Sequence, residues 1–408
     1  MELSWLGWCL AGALAGIAAG LVPGLHANTL LPIVAALRPE PPELVVALPA
    51  FATAHAFTSI LPATYLGIPD PEGSLLALPA HQMVAEGQGP RAVRIAVHAT
   101  FAAVVASVVL LLPAIWLLQE PGRLGASIQS LLPWVLAALA LWLLFLGWRK
   151  PLANLVCFVL AGLFGLFAAR LHPSGLLGPV TPLGPALAGL FAGAGLVAAV
   201  VGSASTPPQD DEPLTRRSTR VAGRAAWVGS LAAALLVPVS AATPALVGSL
   251  IPARAKERSI AVVAAIGVAH QTLALATLWP TLRPRTGLAA ALVPAAEAQP
   301  WSGGALPPLL LALLATTLLA ALLAHPATLL LGRRIPDLAA RLPARGISIA
   351  ALALLGVLQV GLGGWHGTAL FVAGTAIGLV PLALQARRLQ LIACLLLPAL
   401  LRSAGVSF

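Results

Sequence analysis

Two short polar stretches interrupt the apolar runs of this chain and hold residues suited to binding an anion. The candidate anion ligands in these stretches are Gly24, His26, Asn28, Thr29, Ser240 and Thr243. A proline accompanies each stretch, and proline ends a helix because it lacks the backbone N–H that a helix requires. Asn28 or Thr29, and Thr243, would then cap a second half-helix whose unpaired N–H groups attract carboxylate or phosphate. We therefore predict two helix breaks that face one anion site.

Two histidines occur in the middle of apolar runs, where an imidazole must find polar company. His55 is followed by Ser59, and His270 is followed directly by Gln271. An imidazole titrates near physiological pH, so the pair could bind the anion or carry a coupling proton. The alternative is a neutral ring that hydrogen-bonds a backbone carbonyl of a neighbouring helix. We include all four residues in the predicted substrate site.

Other ionisable residues have weaker indications of function. Asp70 and Glu72 stand in a proline-rich segment after the His55 run, and they predict a gating or ion-coupling role. Turn formation explains these two carboxylates equally well. His98, His325 and His366 have no polar neighbours in the sequence, which favours structural roles.

The motifs that an enzyme or an ATP-driven pump would need do not occur. The sequence has no P-loop, no zinc-binding H-E-x-x-H and no nucleophile elbow. Its cysteines, Cys9, Cys157 and Cys394, lie in apolar runs at unrelated spacings, which predicts core residues and no metal site. Full-length apolar runs contain no Asp or Glu, which argues against a buried carboxylate as a proton carrier. Na+, held by carbonyls at broken helices, or H+ is the possible coupling ion. We predict no enzyme activity and no cofactor.

Composition then identifies the setting of these residues. The 408-residue chain is 59% hydrophobic and only 9% charged, whereas soluble domains have about 25% charged residues. This predicts a multi-pass protein of the cell membrane, and its net charge of +10 lies in short loops, so it does not indicate nucleic acid. Apolar runs long enough to cross the bilayer cover 44–62, 92–118, 127–148, 151–171, 178–202, 258–280, 304–331, 347–364, 367–385 and 389–403.

The segments 5–38 and 225–252 have unusual lengths. Each is too long for one comfortable crossing and too short for two, and each contains a break, which predicts a re-entrant helical hairpin. Adding 215 to the numbers of Pro23 and His55 gives Pro238 and His270. We therefore predict a transmembrane repeat over 1–202, a polar cytoplasmic linker over 203–224, and a second repeat over 225–408.

The distribution of Lys and Arg predicts how the two repeats are oriented. With one hairpin and about five transmembrane helices in each half, the second half is inverted relative to the first. Seventeen of the 23 Lys and Arg residues then lie on the cytoplasmic side, as the positive-inside rule requires. The predicted fold is thus all-α and polytopic, with two inverted-topology repeats, an arrangement typical of secondary transporters.

Three stretches resemble a known family. Leu21–Leu25 is similar to the G-L-x-P-G-L start of the large permease of tripartite tricarboxylate transporters, the TctA family. Phe57–Pro69 resembles that family's second signature, although Asp70–Gly73 replaces its Gly-Thr-Pro. Leu78–Met83, followed by Gly87–Gly89, resembles the form found in short archaeal-type members.

The resemblance implies an ion-driven permease for tri- or dicarboxylates that works by alternating access. It also implies two partners, a small membrane subunit and an extracytoplasmic binding protein, while the sequence leaves a homo-oligomer open. The alternatives are a polyprenyl or lipid-phosphate flippase, an intramembrane lipid-modifying enzyme that would use His55 with His270, and a non-transporting scaffold.

Overall fold

Helices make up nearly all of the computed structural model, as the apolar runs predict. The structure describes residues 3–27, 30, 43–68, 74–118, 124–146, 149–176, 178–202, 207–236, 255–281, 286–295, 305–341 and 344–406. The first half contains α1 Leu3–Gly20, α2 Glu43–Thr58, α3 Ile60–Tyr65, α4 Ser74–Ala85, α5 Gly89–Leu118, α6 Leu124–Leu146, α7 Pro151–Ala168, α8 Leu183–Leu187 and α9 Ala194–Val201. A π-helix, Ala188–Gly193, joins α8 to α9, and a small hairpin of β1 Ser174–Gly175 and β2 Gly178–Pro179 precedes them.

The second half has the same character. It contains α10 Arg216–Leu236, α11 Lys256–Thr281, α12 Gly287–Ala295, α13 Pro308–Arg341, α14 Ala344–Ala383, a 3-10 helix Arg388–Ile392 and α15 Ala393–Ser403. Among the described residues, seven helical segments are long and apolar enough to cross a membrane. The all-α polytopic fold and the multi-pass membrane location are therefore confirmed.

Helix α14 consists of two arms. A continuous helix of 40 residues would extend about 60 Å, twice the thickness of a hydrocarbon core. Gly364 interrupts it with φ 56° and ψ −150°, a conformation that glycine adopts without strain. A Cβ on Gly367 would lie 3.4 Å from the carbonyl oxygen of Gln359, although eight residues of continuous helix would separate the two by about 12 Å. The chain thus reverses at Gly364, and the arms agree with the predicted runs 347–364 and 367–385.

Helices α1 and α2 lie side by side and run in the same direction. Gly12 packs on the backbone of Ala47, and Gly20 packs on Thr58. Because both contacts advance together along the two helices, α1 and α2 are parallel. The predicted re-entrant hairpin over 5–38 would place them so, but part of that segment lies outside the described residues and the hairpin stays a prediction.

The helices of the second half follow those of the first at the predicted offset. Adding 215 to the bounds of α1 and α2 gives 218–235 and 258–273, which fall within α10 and α11. The same shift moves α7 to 366–383, the second arm of α14. Lys150 at the start of α7 donates to Gln385 Oε1 at 3.0 Å, while Pro173, beyond its end, lies near Gly367. These two helices are therefore antiparallel, as inverted repeats require, and the inversion of the whole halves stays a prediction.

The polar residues between the halves pack on one end of the helices. Gln209 accepts from the Gly89 N–H and donates to the Val84 carbonyl, and Asp211 pairs with Arg94. Arg91 and Glu257 form a 2.7 Å ion pair at the same end. Helix α10 begins at Arg216, inside the predicted linker segment 203–224.

Two groups of helices have separate cores. The first body comprises α1–α5 and α10–α13, and its core contains Ala54, Phe57 and Ile266. The second body comprises α6–α9, α14 and α15, with Phe164 and Leu190 in its core. A small cluster connects them, formed by Leu25 and Ile68 of the first body and by Ala188, Ala192, Leu196, Ala351, Leu355 and Phe371 of the second.

Candidate functional site

The first predicted helix break is present. Helix α1 ends at Gly20, and the chain continues as turns closed by the Val22 N–H to Ala19 and the Leu25 N–H to Val22. Gly24 has a φ of 78°, which disfavours residues with a Cβ. A Cβ there would also clash with Ala192 of the second body. Gly24 is therefore required both by the turn and by close contact across the boundary between the bodies.

The ring of His55 holds this break in place. Its Nε2 lies 2.7 Å from the Leu25 carbonyl oxygen, so the Nε2–H donates to that carbonyl. His55 is only 2% exposed and lies at the middle of the span Val45–Tyr65. The bond is the one that the structural alternative predicted, and it joins the imidazole to the helix break. The His26 ring lies edge-on to His55, with centroids 6.0 Å apart.

A cavity of about 60 Å³ opens beside this contact. Four predicted site residues line it, namely His26, His55, Ser59 and Gln271. Thr100 of α5 and Gly267 of α11 also contribute to the wall. The volume suits a few water molecules and is well below the roughly 300 Å³ of small-molecule pockets. In the described conformation the cavity is therefore too small for a tri- or dicarboxylate.

The other predicted site residues do not line this cavity or lie outside the described residues. His270 is 3% exposed and does not line the cavity, because its neighbour Gln271 occupies that face of α11. Gly24 packs behind the break on Ala192. Asn28, Thr29, Asp70, Glu72, Ser240 and Thr243 lie outside the described residues.

Sequence reasoning did not identify two features of the first body. Thr100 was not predicted in the site, although a polar residue in the run 92–118 was a usable signal. His98 and His325 were expected to be structural and without polar company, yet their rings share a 3.0 Å hydrogen bond between α5 and α13. The two residues are 227 positions apart, so no local pattern could have paired them.

A larger cavity of about 450 Å³ lies at the end where the polar residues pack. Its charged lining side chains are Glu86, Arg91, Arg217, Lys256, Glu257 and Arg258. Four positive and two negative charges give this larger cavity a net positive field, which concentrates anions. Within the described residues, no three His, Cys, Asp or Glu side chains come together as metal ligands.

Comparison with known proteins gives one family. The pattern of the tripartite tricarboxylate transporter TctA family matches residues 6–393, nearly the whole chain. An uncharacterised protein of Methanocaldococcus jannaschii, MJ1079, is 27% identical over 162 residues, which is 39% of this chain and 40% of that relative. No solved structure matches the chain.

Proposed function

Because the chain belongs to the TctA family of tripartite tricarboxylate transporters, we propose that it moves a small tri- or dicarboxylate across the membrane by alternating access, driven by an ion gradient. The observation that carries this proposal is the cavity at the helix break, lined by His26, His55 and Gln271. Polar groups of this kind inside a bilayer are costly and mark substrate pathways.

The lining suits a carboxylate chemically. A carboxylate only accepts hydrogen bonds, whereas imidazole N–H, amide NH2 and hydroxyl groups donate them. His26, Ser59, Thr100 and Gln271 bring such donors to one cavity. Asn28 and Thr29, with Ser240 and Thr243 from the second break, would add capping hydroxyl and amide groups and helix N-termini. His270 would support Gln271 from behind the wall.

The size of the cavity and the organisation into two bodies support alternating access. A tri- or dicarboxylate needs more room than about 60 Å³, so binding requires the walls to separate. The two bodies have separate cores and meet through a small apolar cluster at Leu25 and Ile68, a boundary that can shift at modest cost. Movement of one body against the other, coupled to Na+ or H+ with Asp70 and Glu72 as gate residues, would expose the cavity to each side in turn. A small membrane subunit and an extracytoplasmic binding protein would deliver the substrate.

Uptake by purified protein in liposomes tests the proposal. Labelled citrate, succinate and malonate are offered with and without Na+ and pH gradients, and a labelled polyprenyl phosphate is included as a lipid substrate. We expect accumulation of at least one carboxylate that depends on one gradient. Translocation of the lipid phosphate alone would instead favour a flippase. If the protein moves neither kind of substrate, transport by this chain without partners is contradicted.

His55 supplies a sharper test of the site. His55→Leu leaves the buried Leu25 carbonyl without its donor, which costs about 1–3 kcal/mol, so we expect uptake to fall roughly tenfold or more. His55→Gln keeps a donor and should retain part of the activity. His366→Leu, at an exposed histidine, is the matched control.

Wild-type uptake by Asn28→Leu and Thr243→Val variants would contradict the role of the two helix breaks.

A further inference from the structure

Arg388 extends from the end of the second body to the middle of a membrane span. It begins the 3-10 helix that follows α14, and its Nη2 donates to the Phe191 carbonyl at 3.0 Å. Phe191 lies in the π-helix at the centre of the span Leu183–Val201. A π-helix leaves the normal pattern of carbonyl hydrogen bonds, and such segments are frequent at functional sites. The irregular turn thus provides the acceptor that holds the guanidinium.

The charge of this guanidinium is incompletely compensated within the described residues. Its Nε is buried and has no hydrogen-bond partner among them. Arginine stays protonated in proteins, so this group carries its positive charge. A buried cation is stable only when an anion or several acceptors complete its shell. The Arg388 side chain as a whole is partly exposed, so its buried Nε–H is the donor that an anion would satisfy.

The position of Arg388 links it to the helix break. A Cβ on Gly195 would lie 3.6 Å from its Nη2 and 3.7 Å from Ile68 of the first body. Ala192, which follows the accepting residue Phe191, contacts Gly24 at the tip of the break. The guanidinium therefore lies at the boundary between the bodies, about one helical turn from the residue that contacts the tip. Glycine at 195 leaves space beside it.

We propose that Arg388 binds a carboxylate of the transported anion and is the positive charge that selects it. This inference rests on the proposed function. A planar guanidinium binds a carboxylate through two parallel hydrogen bonds, so it distinguishes anions from neutral solutes more strongly than the neutral donors of the cavity. Because Arg388 belongs to the second body and His55 to the first, an anion bound to both would connect the two bodies.

The test compares Arg388→Gln with Arg388→Lys and with Arg387→Gln, a matched control at an exposed neighbour. In liposome uptake, we expect Arg388→Gln to raise the KM for citrate at least about tenfold, as loss of a charge-assisted hydrogen bond predicts. The rise should be smaller for a singly charged monocarboxylate. Arg388→Lys should recover part of the loss, and Arg387→Gln should match the wild type. An unchanged KM in Arg388→Gln would overturn the inference while leaving the proposed function intact.

Binding without transport separates the two proposals. Purified wild-type protein should gain thermal stability with citrate, and Arg388→Gln should not, whether or not uptake occurs. If the wild type binds citrate in this way but transports no carboxylate, the proposed function fails and the role of Arg388 stands. Equal stabilisation of wild type and Arg388→Gln by citrate, or stabilisation of neither, overturns the role of Arg388.

Discussion

The two bodies differ in how their helices meet their surroundings. Within an 18-residue apolar window of each span, the buried share in the first body is 83% for Val45–Tyr65, 72% for Lys256–Leu275, 56% for Gly89–Leu111 and 50% for Pro308–Leu338. In the second body it is 61% for Leu183–Val201, 44% for Pro151–Ala168 and 33% for Arg345–Ala383. The outer faces of the second body are covered by exposed Leu, Val, Phe and Trp side chains, as lipid contact requires. The polar cavity thus lies in the body that is better shielded from lipid.

The comparison also shows that each body combines helices from both halves of the chain. Helices α1 and α2 pack in the first body with α10 and α11, which lie at the offset of 215. Helix α7 packs in the second body with the second arm of α14. The two repeats stay a prediction about chain order, whereas the bodies are units of packing. Movement would be expected at the boundary between bodies and not at the linker 203–224.

The largest effect is expected from locking this boundary. In a background of Cys9→Ala, Cys157→Ala and Cys394→Ala, the pair Ile68→Cys and Gly195→Cys should form a disulfide, because a Gly195 Cβ would lie 3.8 Å from the Ile68 Cα. If the bodies move against each other, oxidation should abolish uptake in liposomes and reduction should restore it.

A cross-link inside one body is the control for this lock. Gly229→Cys and Ala265→Cys join α10 to α11, where the two Cβ atoms would be 3.0 Å apart, and oxidation there should leave uptake largely unchanged. Full uptake by the oxidised boundary pair, with the cross-link confirmed by mass spectrometry, would show that the bodies transport without separating.

Much of the first body could be predicted from the sequence, and the reason is physical. Proline, glycine and histidine stand out in an apolar run, so the local sequence pattern predicts the break at Gly24 and a polar contact for the buried His55. The contacts of Arg388 could not be predicted in this way, because they join residues 197 positions apart. They also depend on a π-helix, which leaves no periodic pattern in the sequence. Local sequence patterns predict an anion site built from helix ends, whereas the position of the Arg388 guanidinium is determined only by the packing of the helices.

A tenfold effect is expected from filling the cavity of the first body. Gly267 lines it, and a Cβ there would meet nothing within 4 Å. Gly267→Val should therefore fold normally, since valine is no worse than glycine in a helix, while it takes up space that the substrate needs. We expect uptake to fall by about an order of magnitude, as a misplaced group in a binding site produces.

The matched control for Gly267→Val lies in the second body. A Cβ on Gly356 of α14 would also meet nothing within 4 Å, and this residue lies away from the cavity. Gly356→Val should leave uptake unchanged. Equal losses in the two variants would mean that the cavity has no special role and that both substitutions act through helix packing.

The smallest effect is expected on the lipid-facing surface of the second body. Leu163 of α7 is 56% exposed, and the bilayer is as apolar as its side chain. Leu163→Ala should therefore change the free energy of unfolding by less than about 0.5 kcal/mol, measured as thermal stability in detergent, and should leave uptake unchanged. Its neighbour Phe164 is 7% exposed in the core, where truncation to alanine costs about 3–5 kcal/mol. A large loss from Leu163→Ala would indicate that this face binds protein, such as the small membrane subunit or a second copy of the chain, because lipid alone would not distinguish leucine from alanine so strongly.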